Sequence, residues 1–270
     1  GGFFFMLAIT VTMVGIGWTE IREGHFSHLI ILGFAWVYGA IGFVDDLAKV
    51  RKKRNQGLTA PQKLLLQLSA AAAFLSLMRY FDALDPNLTI PFTGITFELP
   101  WFVYLTLGIL FITGVVNAVN LTDGVDGLLT GITLPVAVLL GLIGLRTGNP
   151  GASVFSGALA GGLLGFLRFN FHPAKVFMGD TGSLFVGGAL CGLVFSLGSP
   201  LLLVVVGLVY LLELLSVVLQ VIYFRFTGGK RLFKMSPIHH HFEMSGWKET
   251  KIFAVFSLVS LALCVAGWFA

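Results

Sequence analysis

The sequence is poor in charge: only 11% of its 270 residues are Asp, Glu, Lys or Arg, whereas 56% are hydrophobic. Soluble domains carry about 25% charged residues, so the composition excludes an ordinary soluble domain and indicates a membrane protein. Cysteine is almost absent, and both Cys191 and Cys264 lie in apolar runs, which argues against a disulfide framework or a cysteine metal site. The net charge is only +4 and does not indicate nucleic acid, because basic residues of membrane proteins usually mark cytoplasmic loops.

Long apolar stretches divide the chain, and a helix of about 20 mostly apolar residues is enough to cross a bilayer. Nine such stretches are found, at residues 3–18, 28–44, 63–80, 101–118, 128–145, 152–169, 182–198, 201–224 and 251–269. The segments between them carry charges or Gly, Pro and Asn, as loops do. The predicted fold is therefore all-α: a polytopic membrane bundle of nine transmembrane helices, forming a single domain over residues 1–270.

Nine spans force the connecting loops to alternate between the two sides of the membrane. One set of loops comprises residues 45–62, 118–127, 169–181 and 225–250. All of the 17 Lys and Arg residues lie in or beside this set except Arg22, Arg79 and Arg146. The positive-inside rule therefore places these four loops in the cytoplasm.

The polar residues that are unusual in a membrane protein gather at the same face, although they played no part in assigning the topology. They are Asp45, Asp46, Asn117, Asn120, Asp123, Asp126, Asn170, Asp180, His239, His240 and His241. Ionisable residues at a membrane are costly and usually functional. We therefore expect a single site on the cytoplasmic side.

Two adjacent aspartates end the second predicted span. On a helix Asp45 and Asp46 point about 100° apart, so we expect one to hold a cation and the other to face a substrate. Lys49 shares a helix face with Asp45, and the alternative is a solvated helix end with an ion pair. The basic run at residues 51–54 is typical of charge at a membrane surface.

The segment NAVNLTDGVDGLLTG follows the fourth span. Asn117, Asn120 and Asp123 recur every third residue and would line one stripe of a helix. Gly124 and Gly127 allow a tight turn and a close approach of the backbone to a ligand. A structural turn is the alternative, whereas a calcium loop is disfavoured because the later glutamate and other ligand positions are missing.

Asp180 precedes Thr181, Gly182 and Ser183 at the predicted start of a helix. Exposed backbone amides at a helix N-terminus suit phosphate, although the same pattern also forms an ordinary helix cap. With Asp180 as an oxygen ligand, the pattern favours a magnesium–diphosphate site. Nearby Phe177 would stack on a base or simply pack.

Three consecutive histidines occupy the segment SPIHHHFEMSGW at residues 236–247. Consecutive histidines do not easily reach one metal, which disfavours zinc, and an internal run of three is not an expression tag. Histidine donates hydrogen bonds to phosphate near neutral pH, and that role suits this face. Glu213 lies within a predicted span and must face the bundle or a groove, with no role assigned.

Four motifs together resemble one family. They are DDLAK at residues 45–49, NAVNLTDGVDGL at 117–128, NFHPAKVFMGD at 170–180 and SPIHHHFE at 236–243. The chain resembles the bacterial phospho-N-acetylmuramoyl-pentapeptide transferases, within the polyprenyl-phosphate N-acetylhexosamine-1-phosphate transferase superfamily. The aspartate motifs are shared by the superfamily, and the histidine segment points to the narrower family.

The resemblance implies that phospho-MurNAc-pentapeptide passes from its UDP carrier to undecaprenyl phosphate with Mg²⁺, giving lipid I and UMP in the first membrane step of peptidoglycan synthesis. It also implies a bacterial cytoplasmic membrane protein of ten transmembrane helices, usually a homodimer. We expect this chain to lack the family's first helix and most of the cytoplasmic loop after it, including a lysine that helps to bind the uridine side.

The resemblance also implies roles for residues. Asp180 corresponds to the magnesium ligand, Asp45 to a base or positioner for the lipid phosphate, and Asp46 to a group near the metal or diphosphate. Asp126 and Phe177 correspond to a uracil pocket. The remaining substrate contacts implied are Lys49, Lys63, Asn117, Asn120, Asp123 and Asn170, with His239, His240 and His241 near the sugar–diphosphate.

Other functions compete with this one. A sister transferase would move GlcNAc-1-phosphate instead. A transporter or flippase would use Glu213 and the aspartates as an ion path, but it leaves their gathering at one face unexplained. An intramembrane aspartyl protease needs aspartates within the spans, whereas these lie at span ends.

Overall fold

The computed structural model describes residues 1–24, 26–52 and 57–270. Twelve helices lie within these residues: α1 (Gly2–Ile16), α2 (Trp18–Arg22), α3 (Ser27–Lys52), α4 (Ala60–Tyr80), α5 (Trp101–Thr122), α6 (Leu128–Thr147), α7 (Pro150–Asn170), α8 (Gly179–Ser196), α9 (Leu202–Val206), α10 (Leu208–Phe226), α11 (Ile238–Glu243) and α12 (Glu249–Gly267). Of the basic run at residues 51–54, Lys53 and Arg54 lie outside the described residues.

The predicted fold class, a helical polytopic membrane protein, is confirmed, but the count of nine spans needs correction. Among the described residues, seven helices are long and apolar enough to cross a membrane: α3, α5, α6, α7, α8, α10 and α12. The other two predicted spans correspond to α1, which is apolar but has only 15 residues, and to α4. Helix α4 is 21 residues long, but polar residues such as Gln62, Lys63 and Arg79 dilute its apolar character.

The predicted span 201–224 is divided at Gly207, where α9 ends and α10 begins. A Cβ atom at Gly207 would lie 2.5 Å from the carbonyl oxygen of Leu203, so the backbone there has room only for glycine.

A small sheet was not predicted. Strands β1 (Asn87–Thr89) and β2 (Thr96–Glu98) pair antiparallel, with Leu88 opposite Phe97. They lie in the 81–100 connection, at the end opposite the predicted cytoplasmic loops. Strands of three residues are too short to produce a readable alternation of polar and apolar residues.

Helix α8 is the buried centre of the bundle, since every residue from Thr181 to Phe195 is buried. Glycines on α8 bring its neighbours close: a Cβ atom on Gly188 would lie 3.3 Å from Ala35 Cα of α3, and one on Gly187 would lie 2.9 Å from Val116 Cα of α5. Small residues let membrane helices pack at short range. The first turn of α8 lies beside Asp46, near the end of α3, and beside Asn120, in the last turn of α5, because Thr181 and Asp180 form hydrogen bonds with these residues.

The four loops predicted to be cytoplasmic meet at one end of the bundle, and they are shorter than expected. Helix α3 continues to Lys52 and α5 continues to Thr122, while α11 forms inside the 225–250 segment. Several of the predicted loop residues are therefore held on helix ends.

Candidate active site

A cluster of charges joins the ends of three helices, and we name Asp45, Asp46, Lys49, Lys63 and Asp180 the aspartate–lysine cluster. Lys49 Nζ lies 2.8 Å from Asp45 Oδ2, 3.5 Å from Asp46 Oδ1 and 2.9 Å from Asp180 Oδ2. Lys63 Nζ lies 3.0 Å from Asp180 Oδ2 and 3.9 Å from Asp45 Oδ2. The convergence predicted from the topology is therefore present, across more than 130 residues of sequence in the case of Lys49 and Asp180.

The two adjacent aspartates are held by different partners. Asp45 is buried, and its Oδ1 accepts the backbone N–H of Leu58 at 2.8 Å. Asp46 Oδ2 accepts both the backbone N–H and the hydroxyl of Thr181, at 3.0 and 2.8 Å. The amide at the start of α8 that we expected to bind phosphate thus donates to Asp46.

Glycine at position 179 makes that contact possible. Gly179 has a φ of +68° at the start of α8, and a Cβ atom there would lie 3.0 Å from Asp46 Oδ2. A larger residue would be strained in this conformation and would crowd the carboxylate.

Asp180 is also tied to α5. Asn120 Nδ2 donates to Asp180 Oδ1 at 3.0 Å and to Ser183 Oγ at 2.8 Å. Asn120 therefore holds Oδ1 of the Asp180 carboxylate, while Lys49 and Lys63 contact Oδ2.

Asn117 lies one helical turn deeper and does not contact the aspartate–lysine cluster. Its Nδ2 donates to Gln67 Oε1 at 2.7 Å and to the Thr113 carbonyl at 2.8 Å. Gln67 is buried on α4 and was not predicted, because a single glutamine within an apolar helix carries no motif. Asn117 and Gln67 thus fasten α4, which carries Lys63, to α5.

Asp123 follows the last residue of α5 and lies near the carboxylates of Asp180 and Asp46. Burial, together with the negative charges of Asp180 and Asp46, raises the pKa of Asp123 to about 8. A carboxyl that stays protonated near neutral pH beside other carboxylates marks a place where a cation would be favoured.

The carboxylates of the cluster fit a magnesium ion. Asp45, Asp46 and Asp180 each offer an oxygen, and these oxygens lie within 4.8 Å of one another. Magnesium takes oxygen ligands and is usually held by one or two carboxylates together with substrate phosphates. The set contains no sulfur or imidazole ligand and therefore matches this chemistry.

A second polar group surrounds Asp126. Its Oδ2 accepts the backbone N–H of Ala174 at 2.8 Å and lies 3.0 Å from His172 Nδ1. Glu249 Oε2 lies 3.5 Å from the same His172 nitrogen. Asp126 thus anchors the connection between α7 and α8, and Glu249, at the start of α12, is a participant that the sequence motifs did not reveal.

The same connection holds Asn170 and Phe177 differently. Asn170 is buried, and its Nδ2 donates to the Val176 carbonyl at 2.9 Å, so it shapes the backbone. The Phe177 side chain is 67% exposed, which disagrees with simple packing and leaves its ring free to stack on a ligand.

The three histidines of α11 have three different partners. His239 Nδ1 lies 2.9 Å from Glu213 Oε2, and His240 Nδ1 lies 2.8 Å from Glu243 Oε2. His241 Nδ1 accepts the backbone N–H of Lys234 at 3.1 Å. Because the rings turn to separate partners, they do not form a common zinc site.

Helix α11 nevertheless reaches the site. A Cβ atom on Gly124 would collide with His239 Nε2 and would lie 3.3 Å from His240 Nε2. His239 is fully buried beneath this exposed glycine, whereas His240 is partly exposed. The histidines therefore lie directly against the segment that carries Asp123 and Asp126.

Known proteins provide an independent comparison. The family described as Glycosyl transferase family 4 matches residues 28–198. A protein of Clostridium botulinum (strain Alaska E43 / Type E3) named phospho-N-acetylmuramoyl-pentapeptide-transferase is 44% identical over 272 residues, covering 100% of this chain and 81% of the relative. The chain belongs to the phospho-N-acetylmuramoyl-pentapeptide-transferase family.

Other relatives with that name agree. One from Clostridium perfringens (strain SM101 / Type A) is 46% identical over 264 residues, covering 98% of this chain and 79% of its own. One from Clostridium acetobutylicum is 41% identical over 270 residues, covering 99% of this chain and 82% of its own. Helices α9 to α12 lie beyond the residues matched by the broad family, so assignment to the transferase family rests on the match along the whole chain.

Proposed function

We propose that this protein transfers phospho-MurNAc-pentapeptide from UDP-MurNAc-pentapeptide to undecaprenyl phosphate, with Mg²⁺, and releases UMP and lipid I. The observation that carries the proposal is the aspartate–lysine cluster, in which three carboxylates and two lysines from α3, α4 and α8 meet at one point. The family relationship of the whole chain supports the choice of substrates.

Phosphoryl transfer needs positioning and charge neutralisation more than covalent help from the protein. Lys49 and Lys63 place two positive charges beside Asp180, where they would neutralise a diphosphate. Bound between Asp180, Asp45 and Asp46, Mg²⁺ would stabilise the charge that develops on the departing UMP.

In the reaction that we favour, an oxygen of undecaprenyl phosphate attacks the phosphorus attached to the sugar. The new P–O bond forms as the P–O bond to UMP breaks, and UMP leaves with its electron pair. Asp45 would position the attacking phosphate or take up its proton. Incubating the protein with UDP-MurNAc-pentapeptide but without lipid tests this step, because a trapped phospho-sugar adduct on the protein would contradict direct attack.

The nucleoside is assigned to the group around Asp126. Exposed Phe177 offers a face on which uracil would stack, and Asp126 a carboxylate for its polar edge. Asp123 would lie beside it, Asn170 would support the pocket through the Val176 backbone, and Asn120 would orient Asp180 at the diphosphate. His240 and His241 would approach the sugar–diphosphate. Aromatic stacking combined with a few polar contacts is the usual way to bind a base.

The decisive experiment measures UMP release by the purified protein in detergent or nanodiscs, with both substrates and Mg²⁺. The expected result is release that requires undecaprenyl phosphate and stops in EDTA. Equal release with UDP-GlcNAc would favour the sister transferase, and no release with either nucleotide would contradict the proposal. Mass measurement of the protein in nanodiscs separately tests the homodimer that the family resemblance implies.

A further inference from the structure

Glu213 is buried on a helix whose other faces are exposed. Its neighbours on α10, Leu212 and Leu215, are 49% and 48% exposed, whereas Glu213 is 0% exposed. A carboxylate in a membrane-spanning helix is costly unless it has a partner inside the protein. The proposed reaction gives Glu213 no chemical role, so its burial has another reason.

The partner of Glu213 is His239, which is also fully buried. Glu213 Oε2 lies 2.9 Å from His239 Nδ1 and accepts the backbone N–H of His239 at 3.4 Å. In the tautomer that carries its proton on Nδ1, His239 donates to this carboxyl oxygen, and Nε2 lies at the opposite edge of the ring. Glu213 Oε1 and His239 Nε2 have no other hydrogen-bond partner among the described residues.

The opposite edge of the ring supports the Asp123–Asp126 segment. His239 Nε2 lies against Gly124, in the space that a Cβ atom would occupy. Gly124 follows Asp123, which lies beside the aspartate–lysine cluster. It also lies two residues before Asp126, which anchors the connection between α7 and α8. One imidazole thus joins a carboxylate in the membrane span to the backbone of the nucleotide side of the site.

We propose that Glu213 is a positioning residue: it holds the His239 ring, and the ring in turn sets the position of residues 123–126 for the nucleotide substrate. The inference rests on the proposed function. A histidine oriented by a carboxylate on its second nitrogen is a recurring way to fix an imidazole, and small displacements of positioning groups cost activity.

The first test compares Glu213→Leu with Glu213→Gln in steady-state UMP release. Leucine cannot accept from Nδ1, so KM for UDP-MurNAc-pentapeptide should rise about tenfold while KM for undecaprenyl phosphate stays within about twofold. Glutamine keeps an acceptor oxygen and should remain within about threefold of the wild type. Ser216→Ala is the matched control, since Ser216 is buried one turn away and donates only to the Glu213 carbonyl.

The second test is a double-mutant cycle with His239→Ala. If Glu213 acts through His239, Glu213→Leu should add almost nothing in the His239→Ala background. A full additional loss there, or an equal rise of both KM values in the single variant, would overturn the inference.

The third test changes the residue on the opposite side of the His239 ring and leaves α10 intact. Gly124→Ala should raise the same KM, because the methyl group displaces the His239 ring, whereas Gly114→Ala, where a Cβ atom meets open space, should not. This pair keeps the inference testable even if Glu213→Leu fails to fold.

Calorimetric binding of UDP-MurNAc-pentapeptide distinguishes a failure of the proposed function from a failure of the positioning role. Wild-type protein that neither binds the nucleotide nor releases UMP would contradict the proposed function. Active wild type with unchanged KM and binding in Glu213→Leu and Gly124→Ala would contradict the positioning role alone.

Discussion

The aspartate–lysine cluster and the Glu213–His239 pair hold their ionisable side chains in opposite ways. In the cluster the side chains of Lys49, Lys63 and Asp180 are 33%, 19% and 21% exposed, and each lysine contacts more than one carboxylate. In the pair both side chains are 0% exposed and share a single contact between side chains. Side chains near solvent can exchange partners with a ligand, whereas a buried pair cannot be separated without leaving an unsatisfied hydrogen-bonding group.

This difference in exposure indicates that the two regions have different roles at one site. The cluster is suited to exchange its internal ion pairs for a metal ion and a diphosphate. The buried pair is suited to hold a fixed geometry through the reaction. Variants of the cluster should therefore alter turnover, and variants of the pair should alter nucleotide binding.

The largest effect is expected for Asp180→Asn. Asparagine keeps the shape of the side chain but removes the charge that both lysines contact, and it is a poor ligand for Mg²⁺. We expect kcat for UMP release to fall about a thousandfold. Asp85→Asn, an exposed aspartate of the connection that contains the small sheet, should leave kcat unchanged; a normal rate in Asp180→Asn would contradict the assignment of the metal.

A smaller effect, graded between the two lysines, is expected for Lys49→Met and Lys63→Met. Lys49 contacts three carboxylates and Lys63 contacts two, one of them at 3.9 Å. We expect losses of about a hundredfold and about tenfold in kcat/KM, measured by UMP release. Exposed Lys230→Met is the control, and the reverse order would show that Lys63 is the principal contact.

The tenfold change in KM expected for Glu213→Leu comes next, and it sharpens the contrast because it falls on KM for one substrate alone. If Glu213→Leu instead lowered kcat and left KM unchanged, the Glu213–His239 pair would act on turnover as the aspartate–lysine cluster does. The proposed difference between the two regions would then be wrong.

The smallest effect is expected on stability, through Asp123. The ordinary pKa of its carboxyl is 3.8, and burial together with Asp180 and Asp46 raises that pKa to about 8 in the folded protein. Between these values the unfolded chain has released a proton that the folded protein retains, so this residue lowers the free energy of unfolding as pH rises from about 4 to about 8.

Asp123→Asn removes this dependence. In EDTA, Tm of the variant relative to the wild type should increase between pH 5 and pH 8, by a few °C at about pH 8. Excess Mg²⁺ should reduce this difference in Tm between the variant and the wild type, because a nearby cation favours the charged carboxylate of Asp123. A difference in Tm that is the same at every pH would show that Asp123 is not protonated in the folded protein.

Much of the site could be predicted from local patterns. Hydropathy and the distribution of Lys and Arg placed the four polar segments at one end, and the structure brings Asp45, Asp46, Lys49 and Asp180 together there. The nine-span count was less successful, since α1 is short and α4 is diluted by polar residues. Hydropathy reports average composition, and it does not measure how far a helix extends.

Other features depend on partners distant in sequence. Gln67 binds Asn117 across 50 residues, and Glu249 reaches the group around Asp126 across 123 residues. Neither residue belongs to a motif with a recognisable spacing, because each acts through the packing of one helix against another.

The amino-acid sequence alone determined that this is a helical membrane protein with an acidic and basic site at one end, because burial in lipid and positive charge at loops act residue by residue. Only the tertiary structure decided which atoms meet. It turned the amide of Thr181 towards Asp46 and gave Glu213, a residue without an assigned role, a partner in His239. The direction of a side chain is set by the helices packed around it, and that information is absent from any single stretch of the chain.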